Sequence, residues 1–198
     1  MHPVRHILST AKLYILPSLK GMGGGVGLLL LLFLLSCSEA ETRYSRLPAR
    51  FVFQNTNTVP QLNAALGNPG EFCTIEQRGN NYVFTSLTGA TQTNRTALSN
   101  YQSTYLGLSG LIVGLPVIPE PGDDVQHVVC FDLACPNCYD TYSITKSLRL
   151  QEGGKATCTS CQRIYDLNTQ GIVTDGETGQ SLFRYRVTYV PYTLQVNN

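Results

Sequence analysis

Ser181-Leu-Phe-Arg-Tyr-Arg-Val-Thr-Tyr-Val190 is the stretch of sequence that indicates the fold class most clearly. Every second residue from Phe183 to Tyr189 is aromatic or apolar, whereas the intervening residues are mostly polar. A period of two is typical of a β-strand that buries one face and exposes the other. Residues 181–190 are therefore predicted to form a strand with an aromatic face and a polar face.

Short bursts of apolar and β-branched residues recur along the rest of the chain, separated by Gly, Pro, Asn and Asp. They occupy residues 72–75, 82–87, 110–118, 127–133, 142–150, 164–167 and 182–196. No amphipathic helical pattern separates them, and only residues 59–66 could form one or two helical turns. This spacing predicts a mainly β domain, built as an antiparallel β-sandwich or barrel.

The first 36 residues have the pattern of a secretory signal peptide. Three basic residues precede an apolar run at 26–35, which at about ten residues is half of the ~20 that a bilayer-spanning helix needs. The run ends in Leu-Leu-Ser-Cys at 34–37, and this ending resembles the lipobox of bacterial lipoproteins. The resemblance implies cleavage before Cys37 and acylation of Cys37, so that the membrane is a partner. A soluble secreted protein in which Cys37 only lies near the cleavage site is the alternative.

The chain after this leader has a nearly balanced charge. Residues 1–36 hold three of the fourteen Lys and Arg residues and none of the thirteen Asp and Glu residues, which leaves eleven basic and thirteen acidic residues in 37–198. This balance predicts no nucleic-acid partner. Glu39 and Glu41 resemble the export tag of surface lipoproteins in some Gram-negative anaerobes. The predicted location is the cell envelope, lipid-anchored in the outer membrane, on its periplasmic or surface face.

The remaining residues suggest a tether and one domain. Residues 37–60 are polar and have no sustained period, so they are predicted to be a tether between lipid and domain. Residues 61–198 suit a single domain, because domains most often hold ~100–150 residues. The segment 128–198 contains two cysteine pairs and is the predicted metal-binding subdomain.

Two Cys-x-x-Cys units, Cys135-Pro-Asn-Cys138 and Cys158-Thr-Ser-Cys161, are separated by nineteen residues. A tight turn can aim two thiolates from positions i and i+3 at one point, and two such knuckles complete a tetrahedron with metal–sulfur distances of ~2.3 Å. Residues 139–157 contain a predicted strand and a Gly-Gly turn, so the second pair is expected to return beside the first. The predicted metal ligands are therefore Cys135, Cys138, Cys158 and Cys161, with sulfur–sulfur separations of roughly 3.5–4 Å.

Other roles for the cysteines stay open. In an oxidising compartment the four thiols could form two disulfides. The first pair is also similar to a thioredoxin-type exchange motif, but such motifs usually place their first cysteine at a helix N-terminus, and the residues after Cys138 are β-formers. A Cys–His catalytic pair is not expected, because His127 is the one histidine after the leader and starts a predicted strand. Cys73 and Cys130 form either a disulfide or two buried small hydrophobic positions, the second being slightly favoured.

A longer set of residues gives an order that resembles a known family. This order is Cys135-Pro, Cys158-Thr-Ser-Cys161-Gln, Tyr165-Asp-Leu, Gly171, Gly176, Leu182, Tyr185 and Val187. It resembles the Rieske fold, a β domain in which two loops hold an iron–sulfur cluster at one tip. The resemblance covers about a third of the chain, and it implies a Rieske-like lipoprotein of the kind found in Bacteroidetes. Residues 72–118 would supply the earlier strands.

The ligand set departs from that family. A Rieske [2Fe–2S] centre needs two histidines on one iron, and these positions correspond here to Asn137 and Cys161. The resemblance therefore implies an all-cysteine centre, for which zinc is the default metal because all four tetrahedral positions are closed. A single rubredoxin-like iron or a [2Fe–2S] cluster is the alternative cofactor.

Two functions follow from these predictions. The first is an envelope lipoprotein with a structural zinc centre and a non-catalytic role in binding an envelope protein. The second is an electron-transfer protein that carries iron in the same site and has a redox partner. The sequence contains no recognisable nucleophile–base pair, carboxylate motif or phosphate loop, so an enzyme in its own right is not expected.

Overall fold

The computed structural model describes residues 43–94 and 104–198. The predicted signal peptide, Cys37 and the first part of the predicted tether lie outside the described residues. Within those two ranges, no helix has the length and apolar character needed to cross a bilayer.

Strands dominate the described chain. They are β1 (Ala49–Gln54), β2 (Phe72–Arg78), β3 (Asn81–Ser86), β4 (Gly89–Asn94), β5 (Tyr105–Leu106), β6 (Leu111–Gly114), β7 (Val129–Asp132), β8 (Arg149–Gln151), β9 (Lys155–Thr157), β10 (Ile164–Asp166), β11 (Ile172–Asp175), β12 (Arg184–Val190) and β13 (Thr193–Asn197). The helices are α1 (Pro60–Gly67), α2 (Pro136–Tyr142) and single 3-10 turns at Thr56–Thr58 and Leu167–Thr169. The predicted mainly β class is confirmed.

These strands pair into two antiparallel sheets. One has nine strands in the order β4-β3-β2-β6-β7-β12-β13-β1-β5, and the other has four in the order β11-β10-β9-β8. The strand predicted at 181–190 is β12, which connects the two halves of the larger sheet. Its first residues, Arg184 and Tyr185, pair with β7, whereas the residues from Arg186 to Val190 pair with β13.

The nine-stranded sheet folds over its own core. The ring centroids of Phe51 and Tyr82 are 5.2 Å apart, and those of Phe53 and Phe84 are 4.9 Å apart. The first ring of each pair belongs to β1 and the second to β3, six positions away in the strand order. The sheet must therefore curl to bring these rings together, and α1 adds Leu62 to the same core.

A second core lies on the other face of β6 and β7. On β6, Leu111 and Val113 belong to the first core, whereas Ile112 belongs to the second. On β7, Cys130 belongs to the first core and Phe131 to the second. The second core also contains buried residues of the two cysteine loops, of the four-stranded sheet and of the segments next to its strands: Cys135, Cys138, Leu148, Ala156, Cys158, Tyr165 and Leu167. The cysteine-bearing half of the domain therefore packs on the back of strands that already form part of the larger core.

Two predictions about the region between the cysteine pairs are wrong. The burst at 142–150 forms only the short strand β8, and helix is not limited to 59–66, because α2 follows Cys135. Pro136 begins α2, where a residue without an N–H loses no hydrogen bond. Pro136 and Cys138 are both buried, and we infer that this burial outweighs the β preference of the tyrosines in the helix.

The predicted tether, residues 37–60, extends too far toward the C-terminus. β1 lies within it, yet β1 pairs with β13 and buries Phe51 and Phe53. Further upstream, the Ser45 N–H donates to the Arg184 carbonyl oxygen at 2.8 Å. The folded domain therefore already includes residue 45, and the polar composition of this region concealed a strand with a buried aromatic face.

Glu120 joins the start of the described chain to β12. Its carboxylate pairs with both Arg43 and Arg184, and the distance from Arg184 Nη2 to Glu120 Oε2 is 2.9 Å. The side chains of Glu120 and Arg184 are each only 9% exposed. Burial raises the pKa of Glu120, but the hydrogen bonds and charges of Arg184 and Arg43 outweigh burial and hold the pKa below its usual value.

A Glu120→Gln variant is expected to lose about 2–3 kcal/mol of stability at neutral pH, because it leaves the buried Arg184 without its counter-charge. The pKa of Glu120 is lower in the folded state than its usual value of 4.5. The stability that the ionised Glu120 contributes is therefore present above pH 4.5 and is lost as the pH falls through the lower pKa of the folded state. Urea unfolding of variant and wild type across this pH range measures the difference. Glu76→Gln is the matched control, because the ion pair of Glu76 with Arg78 is longer, at 3.5 Å, and more exposed. Loss of this ion pair should cost less than ~1 kcal/mol. Equal losses in the two variants would contradict the prediction.

Candidate metal centre

Four cysteine sulfurs converge in the second core. The Sγ atoms of Cys135, Cys138, Cys158 and Cys161 all lie within 4.8 Å of one another and could hold a metal ion. The sulfurs of Cys135 and Cys161 are 3.7 Å apart, as are those of Cys138 and Cys158. These distances fall in the range predicted for tetrahedral ligation and far above the ~2.05 Å of a disulfide. The predicted convergence of the two pairs is therefore confirmed.

The first cysteine pair is positioned by the end of β7 and the start of α2. The buried carboxylate of Asp132 accepts a hydrogen bond from the Ala134 N–H at 2.7 Å. The Cys135 N–H donates to the Lys146 carbonyl oxygen at 2.8 Å. Cys135 is the residue before α2, and Cys138 lies in the first turn of that helix. The helical turn therefore points both sulfurs to the same side.

The second cysteine pair is positioned by the connection between β9 and β10. The Cys158 N–H donates to the Arg163 carbonyl oxygen at 3.0 Å, and the Gln162 N–H donates to the Cys158 carbonyl oxygen at 2.9 Å. Gln162 has a φ of +62°, a left-handed conformation that closes the turn after Cys161 at a modest steric cost. The two pairs therefore differ in backbone: the first begins a helix, whereas the second forms a hairpin knuckle.

The burial of the four sulfurs is uneven. Cys135 and Cys158 are fully buried and Cys138 is 2% exposed, whereas Cys161 is partly exposed. Burial, together with the neighbouring cysteines, raises the pKa of Cys138 to about 12. Burial also acts on Cys161, but hydrogen bonds from the backbone and side chain of Arg163 outweigh it and lower the pKa of Cys161 to about 7. A metal cation among the sulfurs would stabilise all four as thiolates, which is the form that binds metal.

A hydrogen-bond chain connects the first cysteine to the loop before β12. The Asn137 side-chain amide donates to the Tyr165 hydroxyl oxygen at 2.8 Å, and that hydroxyl lies 3.1 Å from the Cys135 sulfur. Burial, then the contact with Cys135, raises the pKa of Tyr165, so the hydroxyl keeps its proton. Toward a Cys135 thiolate, which has no proton, the hydroxyl is the hydrogen-bond donor. Asn137 also exchanges two hydrogen bonds with the backbone of Gln180, at 2.9 and 3.0 Å.

A Tyr165→Phe variant is expected to keep its metal but to lose about 1–2 kcal/mol of stability, because the Cys135 sulfur loses a buried donor. Metal content and thermal melting of the purified variant measure the two effects separately. Tyr139→Phe is the control, because the Tyr139 ring packs edge-on against Phe183 and not against a sulfur. A Tyr165→Phe protein as stable as the control would show that the hydrogen bond to sulfur contributes little.

The structure corrects one reason given against thiol–disulfide exchange. α2 directly follows Cys135, so the expectation that no helix follows this cysteine is wrong. Exchange chemistry is nevertheless disfavoured, because burial raises the pKa of Cys135 and a reactive first cysteine needs a lowered one. Both pairs also contribute sulfurs to one cluster, and all four thiols are unbonded.

Cys73 and Cys130 are too far apart to form a disulfide. Cys73 on β2 and Cys130 on β7 are both register partners of Val113 on the strand between them. Two strand spacings of ~4.8 Å separate their Cα atoms by more than the ~7 Å limit for a bond. Both are fully buried, and burial raises the pKa of Cys73 to about 12. They are buried small hydrophobic positions in the first core.

Several residues around the sulfurs were not predicted as part of the site. Asp132, Tyr165 and Arg163 each hydrogen-bond to a cysteine sulfur or to the backbone of a cysteine loop. The Asn137 side chain donates to the Tyr165 hydroxyl oxygen. Asn137 and Tyr165 were named from the sequence only within the Rieske-like order of residues, and neither was predicted to lie beside the sulfurs. His127 is exposed and is not among the residues that converge.

No protein-family model and no curated protein matches this chain. The class of protein is therefore defined by the fold and by the site. It is a mainly antiparallel β protein with a cluster of three buried cysteines and one partly exposed cysteine that could hold a metal ion.

Proposed function

We propose that the protein is an envelope lipoprotein whose four-cysteine cluster holds a structural zinc ion, with a non-catalytic role in binding an envelope partner. The proposal rests above all on the four sulfurs within 4.8 Å of one another. Zinc suits this cluster because four thiolates fill its tetrahedral shell and leave no open position for a substrate. The ion would link α2 to the β9–β10 turn and so fix the half of the domain that contains the four-stranded sheet.

An electron carrier with iron in the same site is the second candidate. It is favoured by the partly exposed Cys161 and by the Tyr165 hydroxyl that lies 3.1 Å from the Cys135 sulfur. Exposure of one ligand gives an electron a short path to a partner, and hydrogen bonds to sulfur tune the reduction potential. This candidate is also the one that the resemblance to Rieske proteins supports, although four thiolates would give a lower potential than a Rieske centre.

Metal analysis of protein purified without added metal tests the two candidates. The zinc proposal expects one zinc per chain and no visible absorption, whereas an iron–thiolate centre would be coloured. Cys130→Ala is the matched control, because Cys130 is equally buried but lies outside the cluster, so its metal content should equal that of the wild type. Metal-free wild-type protein with two disulfides would overturn both candidates.

We further propose that Cys37 is the acylated first residue of the mature protein. Its support is the Leu-Leu-Ser-Cys ending after a ten-residue apolar run at 26–35. Metabolic labelling with a fatty-acid analogue should mark the wild type but not a Cys37→Ser variant. Replacing residues 1–37 with a leader cut by the general signal peptidase should move the protein from the membrane fraction to the soluble fraction. Label that persists in the Cys37→Ser protein would refute the assignment.

A further inference from the structure

We propose that the outer face of β12, β13 and β1 lies against an anionic membrane, with Arg50 and Arg186 contacting lipid phosphates. This inference rests on the proposed acylation of Cys37 and goes beyond it, because it assigns one side of the domain to the bilayer. Its support comes from the short chain that precedes the folded domain and from the register and charge of the three strands.

The folded domain begins close to the proposed lipid site. Six residue steps separate Cys37 from Arg43, and even a fully extended chain of that length spans no more than about 22 Å. From Arg43 onward the chain is tied to the domain, since Arg43 pairs with Glu120 and the Ser45 N–H donates to the Arg184 carbonyl oxygen. The side of the domain on which β12 begins is therefore held near the bilayer surface.

The exposed residues of the three strands form rows across this side. Arg186 of β12 is opposite Asn197 of β13, and Asn197 is opposite Arg50 of β1. All three are exposed, so two guanidinium groups flank one amide in a single row. Val52 follows Arg50 on the same face and is 40% exposed. The opposite face of β1 is buried in the first core through Phe51.

The charge of these strands differs from that of the whole domain. β1, β12 and β13 contain no Asp or Glu, although residues 37–198 contain more acidic than basic residues. The Tyr44 ring lies 4.6 Å from the Arg186 guanidinium carbon and so joins the incoming chain to this face. A guanidinium fork matches phosphate oxygens in geometry and charge. Glu39 and Glu41 in the connecting segment oppose the attraction, so the arginines of the face must supply it.

Tryptophan fluorescence can measure which side faces the lipid, because the chain contains no tryptophan. Single Val52→Trp and Leu87→Trp variants of the acylated protein are reconstituted into vesicles that carry dansyl-labelled headgroups. Leu87 is 55% exposed in the turn between β3 and β4, across the aromatic core from β1. With phosphatidylglycerol vesicles, energy transfer from residue 52 should be severalfold greater than from residue 87. Adding Arg50→Gln and Arg186→Gln, or raising the salt to 1 M, should clearly reduce the transfer from residue 52, leaving only the difference that the short connection to Cys37 produces.

The outcomes separate this inference from the anchor. Protein that does not float with the vesicles would refute the anchor, and the membrane face with it. Protein that floats but transfers equally from residues 52 and 87 would overturn the membrane face and leave the anchor intact. A third outcome is greater energy transfer from residue 52 that is equally great on pure phosphatidylcholine vesicles and after the two arginine substitutions. This outcome would overturn the role of the arginines. Melting curves of the double variant show whether a loss of transfer reflects unfolding.

Discussion

A Cys158→Ser variant is expected to lose its metal and to melt at least about 10 °C below the wild type, a shift that corresponds to several kcal/mol in a domain of this size. Cys158 is fully buried, and its sulfur lies 3.7 Å from that of Cys138. A serine hydroxyl does not replace a thiolate ligand, and structural zinc sites supply of order 10 kcal/mol of folding free energy. Elemental analysis and circular dichroism melting measure the two losses.

Cys130→Ala separates this effect from the loss of any buried thiol. Cys130 is also fully buried but belongs to the first core, so its replacement should cost about 1–2 kcal/mol and leave the metal in place. A Cys158→Ser protein that keeps its metal and melts with the wild type would refute the four-ligand site.

An Asp132→Ala variant is expected to lose about 4 kcal/mol of stability, because it leaves several buried donors without an acceptor at 1–3 kcal/mol each. The Asp132 carboxylate accepts hydrogen bonds of 2.7 Å from the Leu108 N–H, the Ala134 N–H and the Tyr185 hydroxyl. It thereby ties the turn before β6, the first cysteine loop and β12 to one point. Urea unfolding of the metal-loaded protein measures the loss.

Tyr185→Phe is the graded control for Asp132. It removes one donor and leaves the carboxylate bound to the two backbone N–H groups, so the expected loss is about 1 kcal/mol. Gly107→Ala should resemble Asp132→Ala more closely, because a Cβ atom at Gly107 would lie 2.1 Å from the Asp132 carboxylate oxygen. If Asp132→Ala and Tyr185→Phe unfold at the same urea concentration, the Asp132 carboxylate does not hold these three segments together.

The sequence patterns that predicted the structure correctly are those set by local geometry. The alternation of polar and apolar residues at 181–190 correctly predicted β12, because successive side chains of a strand point to opposite faces whatever its partners are. The spacing within and between the cysteine pairs correctly predicted the convergence of the four sulfurs, because two turns can bring sulfurs together only at certain separations. The first signal can be read from neighbouring residues, and the second from two short motifs nineteen residues apart.

The features that could not be predicted depend on contacts between distant parts of the chain. Asn137 meets Tyr165 across 28 residues and Gln180 across 43 residues, and no local pattern marks such contacts. β4 consists of small and polar residues and is a strand because it pairs with β3. α2 forms against the preference of its tyrosines because the second core covers Cys138.

Because β6 and β7 pack against a core on each face, we expect the domain to unfold as two cooperative units with different opening free energies. Leu111 and Val113 bind β6 to the core that the curled sheet encloses, while Ile112, Val129 and Phe131 pack into the core beside the sulfurs. Removal of a bound metal by a chelator should therefore open the unit beside the sulfurs before the unit that the curled sheet encloses. Amides of β8 to β11 would exchange with solvent through sub-global unfolding, while those of β1, β3 and β13 would exchange only when the whole chain unfolds.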